Sequence, residues 1–413
     1  MPPRSATASV SRSPTLPARP PPQTKPIPYN PHRRTPASSV LVPLSPQEMQ
    51  MYRDQIGAGT MRLSKRKRAE VDERDNDMDE QRRNAKRSRD VGLVVEHYNA
   101  RPEVGVRQRR ESPIIGLRNF NNWVKSVLIT RFAHPALAKA TDRGGGRGTK
   151  GRGKVLDMGC GKGGDLSKWA KARIREYVGV DIAAVSVAQA KGRYDSLMQN
   201  TRPPFAEFAT LDCYTKPLTS ALPLNILPSS LDHPDVAPFD VVSMQFCMHY
   251  AFESIEKARC MLENASRWLR KGGVFVGTIP NAEQLLQRLD ALPPDTPSSD
   301  LSFGNSVYKI RFENRTSRPL YGHRYWFFLR DAVEDVPEYI VHWDNFVQLA
   351  AEYGFYPLYK REFHEVFEEH QEHPEFGPLM ERMKVVDKDG ESQMDEDQWE
   401  AVNIYIAFAM EKR

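Results

Sequence analysis

The chain has 413 residues and a formal net charge of +6, but its first 90 residues hold 18 basic and 10 acidic residues, so the remainder is nearly neutral. This distribution excludes a uniformly basic nucleic-acid-binding body, and leaves 101–154 as the candidate for a local basic patch. Four cysteines without CxxC spacing predict reduced thiols and no zinc site, and no apolar run suggests a membrane span or a signal peptide.

Residues 1–90 are predicted to form a tail without a hydrophobic core. Thirteen of the 32 prolines lie within 2–46, and apolar periodicity is almost absent, which predicts disorder. Two basic clusters follow, KRKR at 65–68 and RRNAKR at 82–87, with an acidic spacer between them. Their spacing resembles a bipartite nuclear-import signal, and the alternative is a solvated charge run. The sequence therefore predicts a disordered, basic, Pro-rich tail and a nuclear location.

Predicted order begins near Val91 and continues as an alternation of helices and strands. The segment 119–132 has apolar residues at helical spacing, and a Gly-rich link at 142–153 separates it from a first strand at 155–158. Further strands are predicted at 177–180, 205–211, 239–246, 273–279, 355–361 and 403–410, with helices at 165–172, 182–199, 254–270 and 343–353. This alternation predicts an α/β fold, a Rossmann-like sheet with helices on both faces. The aromatic, turn-rich stretch 281–340 is predicted to be an insert or lid before the last strands.

The stretch 154–165, KVLDMGCGKGGD, predicts a nucleotide-cofactor site. An apolar strand ends in a glycine-dense turn, a helix follows, and a second strand ends at Asp181, 22 residues after Gly159. The turn lacks the G-x-G-x-x-G spacing, and Asp157 inside the strand would repel a pyrophosphate. A cofactor with a cationic amino-acid end would not be repelled, so the pattern favours S-adenosylmethionine over NAD. The alternative is a tight strand-to-helix turn without a ligand.

Polar residues close three of the predicted strands. Asp181 ends the second strand and is predicted to accept from both ribose hydroxyls. Asp212 ends the third and is predicted to accept from the adenine amino group, while Gln245 ends the fourth, near the methionine part. Because the carboxyl ends of parallel strands meet at one edge of the sheet, the three side chains are expected to contact the same ligand. Each of them taken alone is more often a cap or turn residue.

Several segments together resemble the eukaryotic mRNA cap guanine-N7 methyltransferases, a family of class I S-adenosylmethionine-dependent methyltransferases. The resemblance is collinear over roughly 118–413, and its most specific segments are FNNWVKS at 120–126 and QFCMHYAFES at 245–254. The other matching segments are GCGKGGDL at 159–166, AEF at 206–208, RWLRKGGVFVGTIPN at 267–281, SFGN at 302–305, DVPEY at 335–339 and WEAVNIYIAF at 399–408. The resemblance implies a catalytic domain at 91–413 that methylates N7 of the terminal guanosine of GpppN-capped RNA without a metal.

The resemblance also implies roles for individual residues. The implied cofactor contacts are Lys125, Gly159, Asp181, Asp212, Gln245 and Tyr250. The implied cap contacts are Asn121, Asn122, Lys162, Lys168, Arg193, His249, Glu338 and Tyr405. Lys162, Lys168 and Arg193 resemble the basic residues that line the path of the cap phosphates, and His249, Glu338 and Tyr405 resemble the guanine pocket.

Guanine N7 carries an exposed lone pair, so direct in-line methyl transfer needs no general base. We therefore assign no acid/base residue, and expect His249, Tyr250 and Glu338 to act by positioning. The expected partner is the 5' end of capped pre-mRNA, with the capping enzyme or the transcription machinery as candidate partners of the tail, and no membrane. The alternatives are a methyltransferase of another RNA, a protein or a small molecule, and a non-catalytic RNA-binding scaffold.

Overall fold

The structure, a computed structural model, describes residues 90–100, 111–141, 153–200, 204–223, 225–227 and 238–413. The predicted tail, with both of its basic clusters, therefore lies outside the described residues except for Asp90, and so does most of the Gly-rich link. All of the described residues belong to one compact unit, Met78–Arg413. No helix among them is long and apolar enough to cross a membrane.

Seven strands form the central sheet, in the spatial order β10-β11-β5-β4-β1-β2-β3. Their bounds are β1 Lys154–Met158, β2 Glu176–Asp181, β3 Phe205–Thr210, β4 Phe239–Gln245, β5 Leu269–Pro280, β10 Phe355–Glu362 and β11 Tyr405–Lys412. Strands β1 to β5 pair in parallel, whereas β11 runs antiparallel to both β5 and β10. The predicted mostly parallel α/β sheet is confirmed, and the carboxyl ends of β1, β2, β3 and β4 share one edge.

Helices cover both faces of this sheet. Successive residues of a strand point to opposite faces, and apolar side chains occupy both faces here. Val155 and Val241 belong to one buried cluster, and Leu156 and Val242 to a second cluster on the opposite face. The helices are α1 (of which 90–100 are described), α2 Ile115–Leu128, α3 His134–Thr141, α4 Leu166–Lys171, α5 Ala184–Asn200, α6 Ile255–Trp268, α7 Ala282–Ala291, α8 Trp343–Glu352, α9 Phe363–His370, α10 Gly377–Arg382 and α11 Glu396–Val402.

Helix α2 contains the FNNWVKS segment and continues into a π-helical turn, Ile129–Ala133. Its apolar stripe is buried, with Phe120, Trp123 and Val124 fully inaccessible to solvent. The indole Nε1 of Trp123 donates to the carbonyl oxygen of Phe376 at 3.0 Å. The helix is therefore fixed between the sheet and the C-terminal helices, with its polar side towards the glycine turn.

The predicted insert, 281–340, contains helix α7 and a second, four-stranded antiparallel sheet. Its strands are β6 Ser302–Gly304, β7 Tyr308–Phe312, β8 Arg324–Leu329 and β9 Val333–Tyr339, in spatial order. The side chain of Asn281 accepts from the backbone N–H of Gln284 and caps α7. We call β6–β9 the insert sheet. Its function as a lid stays a prediction.

Candidate active site

The glycine turn after β1 has a backbone that side chains would disfavour. Gly159 and Gly161 have φ values of +74° and +51°, in the left-handed region. A Cβ atom on Gly159 would lie 2.6 Å from Sγ of Cys247, whereas a Cβ on Gly161 would meet nothing within 4 Å. Open space next to Gly161 leaves the backbone of the turn accessible to a ligand.

A cavity of about 290 Å³ lies at the carboxyl edge of the central sheet. All six residues predicted to contact the cofactor line it, namely Lys125, Gly159, Asp181, Asp212, Gln245 and Tyr250. They come from α2, from the ends of β1, β2 and β4, and from the segments after β3 and β4. Apolar side chains including Ile182 and Leu211 complete the wall. A concave, largely apolar site with a few convergent polar groups is typical of small-molecule binding.

Asp181 has its carboxylate fixed by backbone donors at the end of β2. Its Oδ2 accepts from the N–H of Gly161 at 2.9 Å, and its Oδ1 accepts from the N–H of Ala183 at 2.8 Å. Burial raises the pKa of Asp181, and these two backbone hydrogen bonds oppose the rise. A carboxylate has about four lone-pair positions, so two acceptor positions remain for hydroxyl groups.

Asp212 and Gln245 are held by short local contacts. Oδ1 of Asp212 accepts from the N–H of Tyr214 at 3.0 Å, and Oδ2 accepts from the hydroxyl of Thr215 at 2.8 Å. The amide oxygen of Gln245 accepts from the hydroxyl of Thr278 at 3.3 Å. Both side chains are thereby oriented at the edge where they line the cavity.

Asp165, the last residue of the GCGKGGD turn, joins two lysines at the cavity. Its carboxylate accepts from Nζ of Lys125 at 2.9 Å and from Nζ of Lys168 at 2.6 Å. Burial opposes ionisation, but the two ammonium groups outweigh it and hold the pKa of Asp165 below its usual range. Burial lowers the pKa of Lys168 despite this contact. Lys168 also donates to Oδ1 of Asn122 at 3.0 Å, so both predicted cap contacts belong to one network with Lys125.

Asp157 lies inside β1 and lines the same cavity. The hydroxyl of Tyr177 donates to its Oδ2 at 2.8 Å. Burial, reinforced by the nearby charge of Asp165, raises the pKa of Asp157 to about 7. A cation bound in the cavity would therefore meet a carboxyl group that is close to its titration point at neutral pH.

Next to the cavity, two predicted cap residues, His249 and Tyr405, lie beside the buried carboxylate of a third, Glu338. Its Oε2 accepts from the hydroxyl of Tyr325 at 2.7 Å, and its Oε1 accepts from the hydroxyl of Tyr250 at 3.4 Å. Nε2 of His249 lies 3.3 Å from Oε1, outside hydrogen-bond geometry. Tyr405 is near enough for the charge of Glu338 to contribute to its raised pKa, although burial is the larger cause. Tyr250 thus belongs to both the cavity and this cluster.

The remaining predicted cap residues lie farther out. Asn121 is half-buried on α2, with an Oδ1 that has no hydrogen-bond partner. Lys162 and Arg193 are half-buried, on the glycine turn and on α5. The eight predicted cap residues, all of them described, fall outside the lining of the cavity. The structure therefore separates the predicted cofactor contacts from the predicted cap contacts, with Tyr250 between them.

Sequence reasoning missed several residues of this site. Asp165 ends the glycine motif, and its position directly after the turn could have indicated that it belongs to the site. Tyr325 pairs with Glu338 across β8 and β9, which only the register of the insert sheet reveals. Asp90 and Tyr98 line the cavity from α1, far from any motif, and no signal in the sequence points to them. Among the described residues, no three His, Cys, Asp or Glu side chains are grouped as metal ligands.

The fold and the site are those of a class I S-adenosylmethionine-dependent methyltransferase. The defining features are the strand order, the antiparallel strand beside β5, the glycine turn after β1 and the acid at the end of β2. Residues 79–413 match the family model described as the mRNA (guanine-N(7))-methyltransferase domain. The chain belongs to this family, and the resemblance stated from its motifs is confirmed.

Named relatives agree with this assignment. A mRNA cap guanine-N(7) methyltransferase from Cryptococcus neoformans var. neoformans serotype D is 52% identical over 326 residues, which are 79% of this chain and 48% of that protein. One from Schizosaccharomyces pombe is 44% identical over 329 residues, which are 78% of this chain and 82% of that protein. The chain thus spans about half the length of the Cryptococcus relative.

Proposed function

We propose that the protein is an S-adenosylmethionine-dependent mRNA cap methyltransferase, which transfers a methyl group to N7 of the terminal guanosine of GpppN-capped RNA. The observation that carries the proposal is the junction at Tyr250. On one side lies a cavity with the glycine turn, Asp181 and Asp212, and on the other lies the buried carboxylate of Glu338. Membership of the family supports the same assignment.

The cavity residues suit S-adenosylmethionine. Open space beside Gly161 admits a ligand to the backbone, and Asp181 has two acceptor positions left for ribose hydroxyls. Lys125 lies on the wall, where it can pair with the carboxylate of the amino-acid end, and a bound cation would favour the ionised form of Asp157 on the same wall. When bound, S-adenosylmethionine supplies a methyl group on a cationic sulfonium, an electrophile that the protein need not activate.

The protein's own contribution is to hold and polarise the guanine. Tyr250 and Tyr325 each occupy one acceptor position of Glu338, so two positions remain for the N1 and N2 donors of guanine. The buried negative charge also favours the positive charge that methylation leaves on the ring. His249 packs against Tyr250 with ring centroids 4.5 Å apart, and we assign it a positioning role. No side chain has to move a proton.

The experiment is a methyl-transfer assay with radiolabelled S-adenosylmethionine. GpppG-capped and GpppA-capped RNA are the acceptors, triphosphate-ended RNA of the same sequence is the control, and nuclease digestion locates the label. Label on N7 of the cap guanosine alone is the expected result. Equal labelling of the uncapped RNA would favour a methyltransferase of another substrate. Cofactor binding without transfer would favour a non-catalytic scaffold.

We also propose that the tail directs the protein to the nucleus and recruits it to nascent transcripts through the capping enzyme or the transcription machinery. The basic clusters at 65–68 and 82–87 support this part of the proposal. Replacing the basic residues of both clusters by Ala should shift a fluorescently tagged chain to the cytoplasm without changing its methylation rate. Unchanged nuclear accumulation would remove the import role.

A further inference from the structure

Helix α1 supplies a wall of the cofactor cavity that none of the recognised motifs accounts for. Asp90, Val91, Val94 and Tyr98 all line the cavity. Their spacing of one, three and four residues places them on one side of the helix. One side of α1 is therefore turned to the cavity along most of its described length.

The N-terminal end of this wall is joined to the insert sheet by a buried ion pair. Oδ2 of Asp90 accepts from Nη1 of Arg324 at 2.5 Å and from the hydroxyl of Tyr339 at 3.2 Å. The side chains of Asp90 and Arg324 are each only 8% exposed. Arg324 also pairs with Glu313 through its other terminal nitrogen. The carboxylate of Asp90 is thus engaged with the insert sheet.

The opposite end of α1 is attached to two further elements. The hydroxyl of Tyr98 lies 3.3 Å from the hydroxyl of Tyr250, which follows β4. Oδ1 of Asn99 accepts from the backbone N–H of Val185, in the first turn of α5. Contacts at both ends of its described part hold the helix across the cavity, and the lining residues between them, Val91 and Val94, are apolar.

We infer that Asp90 and Arg324 are positioning residues for the methyl donor: their ion pair holds α1 against the insert sheet at Asp90 and thereby closes the cavity over the cofactor. The inference rests on the proposed function for the identity of that cofactor. Loss of one partner leaves the other charge buried beside an incomplete set of contacts, which favours undocking of the helix. If only a fraction of molecules keeps α1 docked, the apparent cofactor affinity falls to that fraction of its intrinsic value.

The test uses the full chain and the Asp90→Asn variant. Calorimetry with S-adenosylmethionine and with S-adenosylhomocysteine gives Kd without turnover, and hydrogen exchange reports on 91–100. We expect Kd and the KM for S-adenosylmethionine to rise by about tenfold, with a much smaller change in kcat and in the KM for capped RNA. Exchange at 91–100 should accelerate, and Asp90→Glu should restore part of the affinity. A purely structural defect would instead lower kcat and stability and raise both KM values together.

A matched control is Asp290→Asn, because Asp290 pairs with Arg318 at an exposed site outside the cavity. This variant should keep wild-type cofactor affinity. If Asp90→Asn does not fold, Arg324→Lys keeps the charge but loses the paired geometry, and it should raise Kd by a few-fold. Cofactor affinity within twofold of wild type in a folded variant, with unchanged exchange at 91–100, would overturn the inference. A wild-type chain that binds neither ligand would instead overturn the proposed function.

Discussion

Three carboxyl groups in one cavity are kept in different states by their neighbours. Backbone N–H groups orient Asp181, two ammonium groups keep Asp165 charged, and at Asp157 burial and the charge of Asp165 outweigh the hydrogen bonds from Tyr177 and Ser243. The first suits neutral donors such as hydroxyls, and the second holds Lys125 in place. The third is close to its titration point at physiological pH. Residues of one type therefore contribute differently because their surroundings differ.

We predict that Asp181→Ala abolishes cofactor binding while the fold is kept. Each charge-assisted hydrogen bond that it offers to a hydroxyl contributes about 1.5–3 kcal/mol, so the loss of two should raise Kd by at least about a hundredfold. Isothermal calorimetry checks the affinity, and circular dichroism checks the fold. Asp195→Ala, at an exposed position of α5, is the matched control. Near-normal cofactor affinity in a folded Asp181→Ala variant would contradict the placement of the ribose.

We predict that Glu338→Gln spares cofactor affinity but lowers kcat/KM for capped RNA by about tenfold or more. The amide keeps the size of the side chain, removes its charge and presents a donor where guanine itself donates. Steady-state kinetics on capped RNA and calorimetry with the cofactor separate the two effects. Glu334→Gln, exposed on the same strand, should have neither effect. Full activity of Glu338→Gln would remove Glu338 from base recognition.

Among the elements, those with strong periodicity or glycine signals were predicted well, and those defined by tertiary contacts were not. The strands that carry Asp181 and Gln245 follow from apolar runs that end in polar residues, because buried parallel strands permit few polar side chains. Helix α2 begins at Ile115, earlier than the predicted 119, and Gly116 in its first turn packs closely against Met394, a tertiary contact that the periodicity does not report. Short helices such as α9 and α10 gave no sequence signal of comparable strength.

The cavity residues at the strand ends were easier to predict than the wall formed by α1. The contacts lie at strand ends, where fold and spacing constrain residue type. Tyr98 reaches the cavity only because the chain crosses the carboxyl edge before the sheet begins, a path that periodicity does not encode. The pairing of Tyr325 with Glu338 likewise depends on the register of β8 and β9.

Asp157, inside strand β1, should make the free energy of unfolding depend on pH. The pKa of this group is about 7 in the folded protein and near 3.8 in the unfolded chain. Between about pH 4 and 7 the unfolded chain therefore loses the proton first, and the free energy of unfolding falls as pH rises. We predict that Asp157→Asn removes about 2 kcal/mol of this fall between pH 5 and pH 8.

Urea unfolding of wild type and Asp157→Asn at the two pH values measures this slope. The amide still accepts from Tyr177, so the contact is kept while the titration is lost. Asp389→Asn, at an exposed position near the C-terminus, should leave the wild-type slope unchanged. Equal slopes for wild type and Asp157→Asn would show that Asp157 titrates normally.

For the molecule as a whole, the positive charge and the cavity are divided between two regions. The excess of positive charge lies in the first 90 residues, whereas the described residues that line the cavity lie between 90 and 339, within the family match of 79–413. The basic tail can attract RNA or a recruiting protein over a distance of about one Debye length, roughly 8 Å at physiological salt. Under the proposed function, local groups such as Glu338 act on the cap itself.

This division predicts that a chain beginning at residue 79 methylates capped RNA with a kcat/KM within about twofold of the full chain at physiological salt, where the field of the tail is screened. A gain for the full chain should appear only at low salt, as faster association. A chain beginning at residue 91 is the informative comparison, because it lacks Asp90 and should bind the cofactor about tenfold more weakly while it remains folded. Steady-state kinetics at two salt concentrations and calorimetry with S-adenosylmethionine measure these effects. If the chain beginning at residue 79 folds and binds the cofactor but cannot methylate capped RNA, residues before 79 take part in catalysis. The catalytic region then begins nearer the N-terminus than residue 79.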